Sequence, residues 1–246
     1  MNKVSKDFNL GFKKQSNALD RVISLISGKE SIRRLRVLED ISFKAVAGEN
    51  IGLIGRNGSG KSTLLKLIAG IYQVDSGSFS TEGEIVYLSG FGFGLKERMT
   101  MRENIKLVGL LMGLSKKDIN NRFAEIVKFS ELEDFVDTKI YQFSSGMLSR
   151  LRFSITIHCL QEKKADIVLL DEVFSSGGDL TFENKAIAKM EEFIRGGSTV
   201  ILVSHNLMLI EKYCNRVLFL EKGKIMKEGE TLGVIKAYQD SFSKTN

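Results

Sequence analysis

The hydrophobic pattern along the chain predicts an α/β fold. Apolar and polar residues alternate from Leu38 to Val46, as they do in a strand that is buried on one face. Four short apolar runs predict further strands at 51–54, 166–170, 199–203 and 217–220. A turn at Lys222–Gly223 leads into residues 224–226, so we expect the last of these strands to open a hairpin.

Segments with helical spacing separate these strands. Apolar residues three and four positions apart predict a short amphipathic helix over 16–28, with Ser16 as its cap. A second helix is predicted over 61–69 and is closed by Gly70. It follows a strand and a glycine-rich loop, an order that opens nucleotide-binding α/β units.

A long stretch without strand signals divides the chain. Residues 95–140 are charged and helix-forming. Because strands are predicted on both sides, we expect a doubly wound α/β core that is interrupted by a helical insert at about 95–160.

Composition restricts the class of protein. The 246 residues suffice for one large domain or two small ones, and 43% hydrophobic with 27% charged residues is typical of a globular chain. The two cysteines, Cys159 and Cys214, have no metal or redox spacing, so we expect a reducing compartment and no disulfide framework. The first residues carry no apolar run, and no stretch approaches the ~20 apolar residues of a membrane span. We expect a protein that is soluble or peripheral to a membrane.

The positive charge is concentrated at the start of the chain. Residues 1–36 contain nine basic and three acidic residues, whereas 37–246 contain 27 of each. Such a basic segment can face anionic lipid, nucleic acid or an acidic protein surface, or it can simply be a solvated surface.

The glycine-rich loop has the spacing of a phosphate-binding loop. The pattern G-x-x-x-x-G-K-[ST] is met by Gly55, Arg56, Asn57, Gly58, Ser59, Gly60, Lys61 and Ser62. Glycines let successive N–H groups point inward as an anion nest, and the following helix adds the positive end of its dipole. We expect Lys61 to reach the β- and γ-phosphates and Ser62 to ligate Mg²⁺.

Two further strand ends carry candidate chemistry. Asp171 and Glu172 follow the strand at 166–170, where an Asp can reach the Mg²⁺ shell and a Glu can act as general base. His205 follows the strand at 199–203, a position that suits a γ-phosphate sensor. By contrast, His158 and Cys159 have no partner at ligand spacing, and we interpret them as structural.

The segment Phe143-Ser144-Ser145-Gly146-Met147, placed ahead of Asp171, resembles the signature motif of ABC-type ATPases. The resemblance implies a P-loop NTPase fold of ABC type, with a mixed core sheet, an antiparallel β part and a helical subdomain. It also implies a single ATPase domain over 1–246, in which a RecA-like core surrounds the helical insert. In that family two copies form a head-to-tail dimer, and the signature of one copy closes over the ATP bound by the other.

The residue sequences of several motifs are similar to those of one branch of the family. YQFSSGMLSRLRFS, LLDEV, TMRENI and the late GVIKAY resemble the ATPase subunits of bacterial exporters of O-antigen, capsule or teichoic acid. The resemblance implies ATP and Mg²⁺ as cofactors and a second copy of the chain as partner. It further implies an integral-membrane permease, a lipid-linked polysaccharide as cargo and a place on the cytoplasmic face of the bacterial inner membrane.

The same resemblance assigns several residues. Phe8 matches the aromatic residue that stacks on adenine, and Asp179 matches an Asp that acts across the dimer. Ser144, Ser145 and Gly146 form the signature contact. Thr63 completes the nucleotide-binding set. We also expect the basic amphipathic helix to lie at the membrane interface or against the permease.

The chain departs from the family pattern in three ways. It reads Gly90-Phe91-Gly92-Phe93-Gly94 where the family usually has a Gln that contacts Mg²⁺ and water. The loop after Glu172 is one residue longer than in the exporter branch. Exporters with a C-terminal glycan-binding domain continue well past residue 246, so we expect that recognition function to be absent.

Alternative functions remain open on the sequence alone. The chain could serve another ABC transporter, or it could be a non-transport ABC ATPase that acts on nucleic acid through its basic segment. Such proteins usually have two ATPase cassettes in one chain or a long coiled coil inside the domain. The sequence shows neither feature, and we therefore expect no nucleic-acid partner. A P-loop kinase would leave the signature motif and His205 without a role.

Overall fold

The structure is a computed structural model that describes residues 1–10, 33–89, 94–160, 165–172 and 180–243. The amphipathic helix predicted at 16–28 lies outside these residues. Residues 90–93, which include most of the segment in place of the family's Gln, and Asp179 also lie outside them.

The described residues form strands from both ends of the chain and its middle. They are β1 (Asn2–Leu10), β2 (Arg33–Ile41), β3 (Asn50–Ile54), β4 (Ser76–Ser78), β5 (Ile85–Ser89), β6 (Ile167–Asp171), β7 (Thr199–Val203), β8 (Arg216–Glu221) and β9 (Lys224–Glu230). The apolar runs therefore form strands, as predicted.

Helices occupy most of the remaining described chain. They are α1 (Lys61–Ile68), α2 (Met101–Leu111), α3 (Lys116–Ser130), α4 (Ser145–Leu160), α5 (Leu180–Arg195), α6 (Leu207–Tyr213) and α7 (Thr231–Ser243). Two 3₁₀ turns, Glu133–Phe135 and Ile140–Gln142, join α3 to α4. The segment at 95–160 is thus helical apart from its connections, and the expected helical subdomain is present.

The strands form two sheets. One has three strands in the order β2-β1-β4, and its neighbouring strands are antiparallel. The other has six in the order β5-β6-β7-β3-β8-β9, and its first five strands pair in parallel. Only two residues, Lys222 and Gly223, connect β8 to β9, and so short a connection requires an antiparallel pair. The expected mixed sheet and antiparallel part are both present.

One strand prediction is wrong in its position. The strand expected at 38–46 is β2, which ends at Ile41. Its pairing with β1 ends at the register pair Val4 and Ile41. The chain then leaves the sheet toward a turn at Gly48, whose φ of 75° lies in the left-handed region. The alternation from 42 to 46 therefore continues past the last residue that has a strand partner.

The chain divides into two compact units. The first contains Met1–Lys44, Gly55–Thr81 and Leu220–Met226, and so includes the three-stranded sheet and α1. The second contains Ala45–Ile54, Glu82–Phe219 and Lys227–Asn246.

Two hydrophobic clusters lie among the described residues of the second unit. One consists of residues from the parallel strands and the helices beside them, such as Leu170 on β6, Leu202 on β7 and Phe153 on α4. The other lies among α2, α3 and α4 and includes Ile105, Ile126 and Leu151. Apolar side chains three and four residues apart on each helix are thus buried toward a common interior.

Candidate functional site

The glycine-rich loop follows β3 directly and ends at α1. Gly60 is the N-cap of α1 with φ 108°, and a hydrogen bond from Leu64 N to Gly60 O (2.9 Å) closes the first helical turn. The first amide groups of a helix have no acceptor one turn back. The loop therefore ends in a set of N–H donors at the positive end of the helix dipole.

Two glycines of this loop have no room for a side chain. A Cβ on Gly55 would lie 2.1 Å from the carbonyl oxygen of Leu220, and a Cβ on Gly60 would lie 2.7 Å from a methyl group of Leu38. Gly58 has open space around it but a φ of 77°, which glycine adopts at little cost. Packing requires the first two glycines, and backbone conformation favours the third.

Lys61 lies inside the loop. Its side chain is buried, and its ammonium donates to the carbonyl oxygens of Gly55 (2.8 Å) and Arg56 (3.0 Å). Ser59 Oγ is also buried and has no hydrogen-bond partner among the described residues. A buried cation, an unpaired hydroxyl and a row of amides fit a polyanionic ligand.

The end of β6 holds the first of the two candidate carboxylates. Asp171 is 5% exposed, and its Oδ2 accepts a hydrogen bond from the hydroxyl of Tyr87 at 2.9 Å. Tyr87 lies on β5, the strand that pairs with β6. The sequence motifs do not point to Tyr87, because the short run in which it lies was not predicted as a strand.

Glu172 and His205 are in direct contact. The Oε1 atom of Glu172 lies 2.9 Å from Nε2 of His205. Glu172 has a φ of 54°, and its amide donates to the carbonyl oxygen of Val203 at 3.1 Å. Because Asp171 and Val203 are register partners on β6 and β7, the residues that follow each strand lie side by side. The structure thus brings together the proposed base and the proposed sensor.

The signature segment forms the start of α4. Ser144 accepts a hydrogen bond from the amide of Met147 through Oγ (3.2 Å) and from the amide of Leu148 through its carbonyl oxygen (3.0 Å). This is the arrangement of a helix N-cap. Ser144 and Ser145 are exposed and Gly146 is half-buried, so this helix end is accessible.

Phe8 lies on β1 beside a second aromatic residue. Its ring packs edge-on against Tyr72, with 5.3 Å between ring centroids, and the ammonium of Lys6 lies 5.5 Å from the Phe8 centroid. Phe8 is half-buried. Its role toward adenine stays a prediction.

His158 is buried rather than placed at a site. Its Nδ1 lies 2.8 Å from the carbonyl oxygen of Ser154, and its ring packs edge-on against Phe129. Burial lowers the pKa of His158 below its usual value. Burial also raises the pKa of Cys214 to about 12, so that this thiol stays protonated.

The comparisons with known proteins agree with these features. A family model described as ABC transporter matches residues 38–175. The O-antigen export system ATP-binding protein RfbB of Klebsiella pneumoniae is 38% identical over 223 residues, which are 91% of this chain and 87% of that protein. The teichoic acids export ATP-binding protein TagH of Enterococcus faecalis is 36% identical over 244 residues, which are 99% of this chain. This chain spans about half (52%) of that TagH.

Solved structures share the fold. A dimeric ATP-binding cassette in a post-hydrolysis state, bound to ADP and phosphate, has a TM-score of 0.68 at 20% identity and covers 94% of this chain and 97% of its own. An ATP-binding subunit of an ABC transporter also has a TM-score of 0.68, at 23% identity, and covers 97% of this chain and 94% of its own. At these identities the likeness concerns the fold alone.

Proposed function

Because the chain belongs to the ABC transporter family and is an ABC-type ATPase, we propose that it powers the export of a lipid-linked polysaccharide across the cytoplasmic membrane. The observation that carries this proposal is the 38% identity to an O-antigen export ATP-binding protein over 91% of the chain. The match to a teichoic acids export ATP-binding protein over 99% of the chain supports the same branch. The proposed cargo is of O-antigen, capsule or teichoic acid type.

The loop that begins at Gly55 is the proposed site of the ATP phosphates. Its amides would hold phosphate oxygens, and the Lys61 ammonium, held by two loop carbonyls, is the cation proposed to stabilise charge on the β- and γ-phosphates. The left-handed φ values of Gly58 (77°) and Gly60 (108°) support this assignment, because such a backbone conformation lets successive N–H groups turn toward one anion.

Ser62 and Asp171 are the proposed protein ligands of Mg²⁺. Hydroxyl and carboxylate oxygens are the donors that this hard cation prefers. The ion, when bound, supplies positive charge that offsets the negative charge of the phosphate oxygens.

Glu172 is the proposed general base of hydrolysis. Its carboxylate accepts a proton from the water whose oxygen bonds to the γ-phosphorus, while the bond from that phosphorus to the oxygen of ADP breaks. His205, in the tautomer with a proton on Nε2, donates to Glu172 and restrains the carboxylate. We propose His205 as the γ-phosphate sensor as well.

Two copies of the chain are proposed to act together. Each copy carries one phosphate-binding loop and one signature segment, so a symmetric head-to-tail pair would have two equivalent sites. In each, the exposed helix end at Ser144, Ser145 and Gly146 would approach the γ-phosphate bound to the other copy. Stacking of Phe8 on adenine and a contact of Asp179 across the pair remain parts of this proposal.

A separate membrane subunit is the proposed partner for transport. Among the residues that the structure describes, no helix has the length and apolarity needed to cross a membrane. We propose that the dimer binds a permease at the cytoplasmic face of the inner membrane. Nucleic acid is not a proposed partner.

The proposal is tested in the native host by comparing wild type with Lys61→Ala. The variant lacks the cation that stabilises the phosphates, so we expect surface polysaccharide to fall at least tenfold. Lipid-linked polymer should accumulate inside the cell. Both pools are measured by extraction and gel separation.

Lys236→Ala is the matched control, because Lys236 is an exposed lysine on α7. It should leave both pools unchanged. Normal surface polysaccharide in Lys61→Ala would contradict the export proposal, while the family membership of the chain would stand.

A further inference from the structure

We propose that Tyr87 is a positioning residue for Asp171 and that its hydroxyl holds the carboxylate in the orientation in which it binds Mg²⁺. This inference rests on the proposed function, since it takes Asp171 as a metal ligand. It assigns a role to a residue on β5, a strand that carries none of the nucleotide-binding motifs.

The strand register explains how the tyrosine reaches the carboxylate. Tyr87 on β5 pairs with Leu169 on β6, and Asp171 lies two residues further along β6. Residues two apart on a strand face the same side of the sheet, so Tyr87, Leu169 and Asp171 share one face. A phenol ring that leans along the strand can span this diagonal, and its hydroxyl lies 2.9 Å from Asp171 Oδ2.

Burial makes this hydrogen bond effective. Asp171 is 5% exposed and Tyr87 is half-buried, so water competes little for either group. A hydroxyl that donates to an ionised carboxylate forms one of the stronger classes of hydrogen bond. The bond therefore restrains the rotation of the carboxylate. It also offsets part of the free-energy cost of burying that carboxylate away from water.

Orientation matters for the proposed ion. Mg²⁺ demands near-ideal octahedral geometry, so a ligand that rotates freely binds it less well. Hydrogen bonds to metal-ligating carboxylates typically change metal affinity about 10–100-fold.

The test compares Tyr87→Phe with Tyr213→Phe in the full chain. Each variant removes one hydroxyl that donates to a carboxylate. The hydroxyl of Tyr87 donates to Asp171, and that of Tyr213 donates to Glu191, which is not a proposed metal ligand. Both are made together with Glu172→Gln, so that nucleotide is not consumed. Binding of a fluorescent N-methylanthraniloyl ATP is measured while Mg²⁺ is titrated, and thermal unfolding is measured without Mg²⁺.

We expect the half-saturating Mg²⁺ concentration to rise about tenfold in Tyr87→Phe and by less than about twofold in Tyr213→Phe. Binding at saturating Mg²⁺ and the Tm without Mg²⁺ should match the parent, which a purely structural role of the hydroxyl would not predict. An unchanged half-saturating concentration in Tyr87→Phe, with a magnesium-dependent parent, would overturn this inference alone. A parent that binds nucleotide without any response to Mg²⁺ would overturn the proposed metal site and the inference with it.

Discussion

At the residue scale, Glu172 combines an unusual backbone conformation with a direct contact to His205. Its φ of 54° lies in the left-handed region, which costs a residue with a Cβ about 1–2 kcal/mol. Two interactions support this conformation, the hydrogen bond from its amide to Val203 and the contact of its carboxylate with His205. Strain of this kind at the end of a strand is typical of functional positions.

We expect Glu172→Gln to bind ATP with near-normal affinity but to hydrolyse it at least 100-fold more slowly. An amide keeps the shape of the side chain but does not accept the proton of water. The measurements are equilibrium ATP binding and steady-state phosphate release. Glu211→Gln, an exposed position on α6, is the control and should behave as wild type. Normal phosphate release in Glu172→Gln would remove this residue from its role as base.

At the element scale, one buried asparagine joins α2 to the loop before it. The Oδ1 atom of Asn104 accepts from Lys96 N (2.7 Å), and its Nδ2 donates to the carbonyl oxygens of Lys96, Met99 and Thr100. Capping boxes at Thr100 and Ser115 begin α2 and α3.

The same loop is paired with the segment that precedes the signature. Met101 N donates to Thr138 O (3.0 Å), and Ile140 N donates to Met99 O (3.1 Å). Asn104 therefore stabilises a loop that in turn holds the chain leading to Ser144.

We expect Asn104→Ala to lower the free energy of unfolding by about 2–4 kcal/mol, because it removes the hydrogen bonds that this fully buried side chain makes with the backbone of Lys96, Met99 and Thr100. Urea unfolding followed by circular dichroism measures the change. Asn120→Ala is the matched control, since Asn120 is exposed on α3, and it should change stability by less than about 0.5 kcal/mol. Equal effects of the two variants would show that the hydrogen bonds of Asn104 contribute little net stability.

At the scale of the whole molecule, the phosphate-binding loop and the signature are proposed to meet only between two copies of the chain. Two variants distinguish this arrangement from a scheme in which one copy hydrolyses ATP alone. One variant has a defective phosphate-binding loop, and the other has a defective signature.

We expect a mixture of Lys61→Ala and Gly146→Asp chains to regain nucleotide occlusion that neither variant has alone. Asp in the first turn of α4 is compatible with the helix, but its charge repels a γ-phosphate. In a mixed pair, one site combines both defects and the other has an intact loop and an intact signature. With Glu172→Gln present in both chains, about one ATP per mixed dimer should be retained after gel filtration. No retained ATP in the mixture would contradict the head-to-tail arrangement.

Much of the fold and of the candidate site could be predicted from the sequence, because the patterns that indicate them involve residues close together along the chain. The loop at 55–62 requires its residue types at fixed spacing, and the apolar runs at β3, β6, β7 and β8 are short and bounded by polar residues. The end of β2 was predicted wrongly because alternation continues past Ile41, and only the partner strand decides where pairing stops.

The family resemblance, the pattern of the phosphate-binding loop and the candidate acidic and histidine residues can all be recognised in the sequence, because each depends on neighbours along the chain. The contact of Glu172 with His205 and that of Tyr87 with Asp171 emerge only in the folded chain. These contacts depend on the order β5-β6-β7, in which strands far apart in sequence become neighbours. Strand order results from the joint burial of both faces of the sheet, a property of the whole packed core that no local pattern contains.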